Sequence, residues 1–231
     1  MFYFDPLYLL FLAPAFLLSI VAQIKVKAAI ARWSRVPTRR GMTGADVARA
    51  ILAQRGIHDV RVEQVGGFLS DHYDSRRKVL RLSPAIYNGR TVAAAGVAAH
   101  EVGHAIQHAE RYAPLMFRQA VAPAAALGSN LSWLLILGGA LLGSLGLMKL
   151  GVLAFSLMVV FTVVTLPVEF DASARAKRIL LSTGLVSEQE QRGVSACLNA
   201  AAMTYVAAAV AAIAQLLYFM LRLGLIGGGD D

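Results

Sequence analysis

The sequence predicts a mainly α-helical integral membrane protein, with about four transmembrane helices and a small α+β portion facing the cytoplasm. Three observations carry this. First, 57% of the residues are hydrophobic and only 16% charged, against about 25% charged in an average soluble domain. The chain has too little polar surface to cover itself in water. Second, four apolar runs, residues 7–24, 120–147, 150–166 and 202–221, approach or exceed the length of a bilayer span. Third, charge is localised. Between Lys25 and Tyr112 fifteen Lys or Arg stand against seven Asp or Glu, while the rest of the chain is balanced. A basic block beside apolar spans is expected on the cytoplasmic side.

The elements follow in order. Residues 7–24, "LYLLFLAPAFLLSIVAQI", end at Lys25 and Lys27. A cleaved signal peptide wants a basic start, whereas the early charge here is Asp5, so the segment reads as a retained first span with a kink at Pro14. Residues 28–90 read as the water-facing unit. "TGADVARAILAQRG" offers Thr43 as helix cap, Asp46 at the third helical position, Val47, Ile51 and Leu52 on one face, and Gly56 as the stop. "HDVRVEQV" and "RKVLRLS" read as two short strands, and between them lies "GGFLSDHYDSR", turn-like at both ends. Ser83-Pro84 opens a short helical piece, and Thr91 caps a long helix reaching about residue 110. Beyond it, the second and third runs are parted by "LMK", with Gly146, Lys149 and Gly151 at the turn. Gly138, Gly139, Gly143 and Gly146 suggest close helix packing. Pro167 marks the start of a new helix, and the last span closes at Arg222, leaving the tail "GGGDD" without structure. The chain thus divides into a first span (1–27), a cytoplasmic α+β portion (28–112), a transmembrane hairpin (113–167), a helical segment (168–201), and a last span with tail (202–231). The single cysteine, Cys197, reads as buried apolar filler.

Chemistry concentrates in "GVAAHEVGHAIQHAERY", Gly96–Tyr112, which holds His100, His104, His108 and Glu101. "HEVGH" matches H-E-x-x-H. Positions i and i+4 stack on one helix face, so His100 and His104 can grip one zinc ion, and Glu101 is placed to take a proton from an activated water. The competing reading is a helix whose histidines hydrogen-bond across a bundle. The cost of burying two imidazoles and a carboxylate favours a metal. Zinc requires a third protein ligand. His108 shares the face but lies about 12 Å from His100 along the axis, too far for one tetrahedral ion, and is left as support. Glu169, in "TLPVEFDASARAKR", is the better candidate, because a helical hairpin returns the chain to the same membrane face. Asp171 reads more simply as an acid near a helix start. His72, Tyr73 and Arg175 are candidates to stabilise the transition state. The strand at 77–82 is expected to be an edge that binds substrate backbone, with ordinary packing as the alternative.

Over nearly its whole length the chain resembles the bacterial neutral zinc metallopeptidases of the membrane, the Zn_peptidase_2 or YugP-like family. The stretches that carry the resemblance are "FDPLYLLFLAPAFLLS", "GMTGADVARAIL", "DHYDSRRKVLRLS", "GVAAHEVGHAIQHAERYAPL", "TLPVEFDAS" and "AAMTYVAAAVAAIAQLLY". It implies a gluzincin-like pairing of an H-E-x-x-H helix with a downstream glutamate helix. It also implies one Zn2+ per chain on His100, His104 and Glu169, with Glu101 as general base, and a role in protein quality control. This sequence departs at Ser173, which stands where distant cousins place an aspartate that orients a histidine ligand. Asp171 and Ser173 are the candidates for that task.

The expected activity is that of a zinc metalloendopeptidase of the bacterial inner membrane, multi-pass, its active site open to the cytoplasm. Expected partners are a protein or peptide substrate and the lipid bilayer, with self-association or a membrane adaptor left open. Nucleic acid is not expected, because aromatic residues are not interleaved with the basic ones. The reading from another class is an inactive, zinc-stabilised membrane scaffold or adaptor. Metal transport is disfavoured, since no acidic span residue marks a path.

Overall fold

A computed structural model of the chain describes residues 5–67 and 70–226. The expected tail, 227–231, and Phe68 and Leu69 of the expected turn lie outside the described residues. The architecture is mostly helical with one small sheet, in the order α1 (Pro6–Trp33), α2 (Gly44–Gln54), β1 (Arg61–Gln64), β2 (His72–Asp74), β3 (Val79–Leu82), α3 (Pro84–Tyr87), α4 (Val92–Ala109), α5 (Ala113–Leu141), α6 (Leu145–Ser182) and α7 (Glu188–Arg222). Four of these helices, α1, α5, α6 and α7, are long and apolar enough to cross a membrane.

The chain forms two compact units. One comprises residues 22–115 and 167–204, the other 1–21, 116–166 and 205–231. In the first unit, helix α2 starts where the sequence predicts. The Thr43 side chain accepts from the Asp46 backbone N–H while Asp46 reaches back to the Thr43 N–H, a reciprocal capping box. Gly56 follows its end with φ +67°, the left-handed conformation that ends helices at little cost for glycine. Val47, Ile51 and Leu52 of α2 join Leu80 and Leu82 of β3, Val92, Ala98, Val102 and Ile106 of α4, and Ile179 and Leu180 of α6 in one buried core. Ser187 and Glu190 make a similar reciprocal cap at the start of α7.

The sheet corrects two expectations. Between the two expected strands lies a third, β2, and β3 is the central strand, in the order β1–β3–β2. β1 runs parallel to β3 and β2 antiparallel to it, with Tyr73 opposite Leu80. The 79–82 strand is therefore no edge. "HYD" carries no apolar alternation. β2 is held instead by cross-strand contacts such as Arg81 to Asp74 at 3.2 Å, which are invisible to a local pattern.

The helical hairpin also differs from expectation. The turn falls at Leu142–Ser144, not at "LMK", because Gly143 takes φ +65° and Ser144 then begins the next helix. Lys149 sits within α6. Pro167 likewise lies inside α6 and starts nothing. A proline forfeits one helical hydrogen bond, and here burial of Val168, Ala172 and Ala176 just beyond it offsets that loss. Helix α1 is continuous through Pro14. In the second unit the glycines in close contact are Gly128 against Ala154, Gly139 against Met148 and Gly151 against Ile136, whereas Gly138 and Gly143 face open space. Its outward leucines, Leu10, Leu127, Leu134 and Leu153 among them, form the kind of surface that lipid covers better than water.

Candidate metal centre

The cluster lies within the first unit. Helix α4 is capped by Thr91, whose hydroxyl accepts from the Ala94 N–H, and its early turns are mostly alanine, with Gly96 and two valines. That small surface lets neighbours approach closely. At Gly103, a Cβ would stand 2.7 Å from the carbonyl oxygen of Ala172 on α6. The glycine of "HEVGH" thus brings α6 against the histidine helix, and with it Glu169.

Nε2 of His100 lies 3.2 Å, and Nε2 of His104 3.6 Å, from Oε2 of Glu169. The rings are perpendicular, with centroids 4.8 Å apart. One donor atom from each residue falls within 4.8 Å of the others. A tetrahedral zinc ion with bonds of about 2.0–2.1 Å separates its ligand atoms by about 3.3 Å, so these residues fit the ion the motif implies. Electrostatics agree. Burial alone disfavours the His104 imidazolium, yet the carboxylates of Glu169 and Glu101 override it and its pKa is raised. The site favours positive charge.

Each imidazole is held from behind. Ser173 Oγ lies 3.1 Å from His100 Nδ1, so the serine at the position of the expected aspartate touches the histidine it would orient. Behind His104 stands Gln107, its Oε1 3.0 Å from Nδ1. The sequence reading did not single out Gln107. The available clue was spacing, one helical turn past His104 on an apolar face.

The other expected residues divide. Asp171 does not enter the cluster. It accepts from Gln107 Nε2 at 2.8 Å and from Arg175 Nε at 2.5 Å. Arg175 also bonds Glu110 at 2.5 Å and lies over the Tyr112 ring, 5.6 Å from its centroid. Its guanidinium is committed to structure and faces a polar cavity of about 250 Å³ also lined by Arg55 and Arg178. His108 is outside the cluster, its Nδ1 3.0 Å from the Tyr73 hydroxyl. Burial, helped by Asp59 and Asp74, pushes the Tyr73 phenol up to about 12, so it remains a donor at any working pH. His72 turns to the Ser70 carbonyl, 2.8 Å away, and to Arg81. Glu101 is 8% exposed, and among the described residues its carboxylate takes no hydrogen bond.

Comparisons with known proteins agree with this chemistry. Residues 8–224 match a family described as "Putative neutral zinc metallopeptidase". The chain is 48% identical over 214 residues to "Putative membrane protease YugP" of Bacillus subtilis (strain 168), covering 93% of this chain and 94% of that protein. No solved structure matches.

Proposed function

The chain belongs to this family of neutral zinc metallopeptidases, and from that premise we propose that it is a membrane-embedded zinc endopeptidase with its ion on His100, His104 and Glu169. The observation that carries the reading is the convergence of those three donor atoms beside Glu101, a carboxylate with no competing partner among the described residues.

Zinc bound there supplies a Lewis acid that polarises a peptide carbonyl and acidifies water. The chain's own residues do the rest. Glu101 accepts the proton of the attacking water and returns it to the leaving amine, in keeping with its unpaired lone pairs and its place next to His100. Positions 101 and 108 lie about 20° apart around the helix. Tyr73, bonded to His108, is thus on the Glu101 face of α4 but about 10 Å further along its axis, and offers its hydroxyl to a peptide extending away from the ion. β2 carries Tyr73 and packs against α4. Its outer edge, unpaired among the described residues, is suited to take a substrate strand in place of the 77–82 strand first expected.

The four apolar helices and the relative's name support a multi-pass protein of the bacterial inner membrane. The basic block from Lys25 to Tyr112 supports a cytoplasmic active site under the positive-inside rule. Substrates would be proteins or peptides, and quality control of membrane proteins is the process this placement suits.

The test is Glu101→Gln in the detergent-purified full chain. Parent and variant should each hold one zinc per chain, and the variant should lose cleavage of casein and of unfolded membrane substrates by at least about 100-fold. Undiminished cleavage refutes the mechanism. A zinc-loaded parent that cleaves nothing points to the scaffold reading instead.

A further inference from the structure

Resting on the metal reading above, we infer that Gln107 is a positioning residue that fixes the tautomer of His104, so that the Nε2 lone pair of His104 is directed to the ion. Gln107 is fully buried, and a buried amide must have its donors and acceptor satisfied. One end of that amide lies 2.8 Å from the Val168 carbonyl oxygen and 2.8 Å from Asp171 Oδ2. Both of those atoms only accept, so this end is the NH2 group. The opposite orientation would set an amide oxygen against two other oxygens. The end facing His104 is therefore the carbonyl oxygen, which only accepts. Nδ1 of His104, 3.0 Å away, must carry a proton. A neutral imidazole with that proton has its lone pair on Nε2, the atom 3.6 Å from Glu169 within the cluster.

The arrangement is anchored at its far end. Asp171, which takes the Gln107 donor, is itself held by Arg175, and Arg175 by Glu110, the residue that caps the end of α4. The chain of contacts leaves α4 at Gln107, crosses to α6 and returns to α4, so Gln107 cannot rotate without breaking bonds to a carboxylate. His100 lacks an equivalent. Its neighbour Ser173 has a hydroxyl that can donate or accept, which leaves that ring's tautomer open until the ion binds. His104 is the ligand preset by the fold.

Zinc affinity of the detergent-solubilised full chain, measured against a chromophoric chelator, tests the inference together with 15N shifts of the histidine rings. Gln107→Met should weaken zinc binding by about 10–100-fold. In the parent, the ring shifts should show a protonated Nδ1 on His104 both before and after zinc is added. Parent-like affinity in Gln107→Met overturns the inference. So does coordination through Nδ1, a measurement on the parent that decides the matter even where Gln107→Met does not fold. A parent that takes up no zinc refutes the metal reading, and the metal-free ring shifts still judge Gln107 separately.

Discussion

Gly103→Ala isolates the packing that assembles the site. The added methyl would stand 2.7 Å from the Ala172 carbonyl oxygen, 3.1 Å from its Cα and 3.2 Å from its carbonyl carbon, all backbone atoms of α6 that no side-chain rotation can move. Ordinary carbon contacts begin near 3.4 Å, so the two helices must part by about 0.7 Å at this point. Such overpacking costs about 1–3 kcal/mol, against a gain of about 1 kcal/mol from replacing a helical glycine by alanine. The fold should lose at most about 2 kcal/mol. Zinc affinity should suffer more. His100 and His104 ride on α4 and Glu169 on α6, and a metal site tolerates displacements of only about 0.2 Å in its ligand distances. We expect Gly103→Ala to bind zinc at least about 10-fold more weakly, read by chelator competition, while thermal unfolding of the metal-free chain moves only a few degrees. Gly96→Ala is the control. Its methyl would meet the tip of Val194 at 3.4 Å, an ordinary contact, and should leave zinc binding unchanged with stability equal or slightly higher. Parent-like zinc affinity in Gly103→Ala, with a raised melting temperature like that of Gly96→Ala, would refute the reasoning.

Other outcomes follow from the same geometry. Glu169→Ala should release zinc on dialysis while His108→Ala retains it; the reverse pattern, read by metal analysis, would reassign the third ligand. Ser173→Ala should weaken zinc binding by about 10-fold through loss of the contact to His100 Nδ1, and Ser173→Asp should match or exceed the parent. Tyr73 predicts a pH effect. Its folded pKa, pushed up to about 12 mainly by burial, exceeds the value near 10 of an unfolded chain. The folded state therefore holds the extra proton between those values, and stability should fall as pH rises from about 10 to 12, a loss that Tyr73→Phe reduces in alkaline unfolding curves. For orientation, cysteines placed at Arg76 and Lys149 can be labelled against a low background, since Cys197 is buried. Labelling from outside intact cells should occur at position 149 and not at 76, and labelling at 76 would refute a cytoplasmic site.

Local chemistry was legible in the sequence because it is written at fixed spacings. The i, i+4 pair His100 and His104, the Thr43–Asp46 cap and the Thr91 cap each depend on a helix whose geometry is the same everywhere. The four apolar runs follow from composition, and Glu169 from counting crossings. Other features depend on partners far along the chain. β2 became a strand because Asp74 and Tyr73 meet Arg81 and Leu80, which makes 79–82 a central strand. Pro167 stayed inside a helix because residues on other elements bury the turns after it, and a proline read alone cannot report that. The contacts behind the candidate metal site, Gln107 with Asp171 and Arg175, join two helices through residues more than sixty positions apart. Sequence determined which atoms can bind a metal and which segments are apolar. The tertiary structure alone decided how closely Glu169 meets the two imidazoles and which buried amide turns one of them, because both rest on close approach at Gly103, and close approach is a property of two surfaces together.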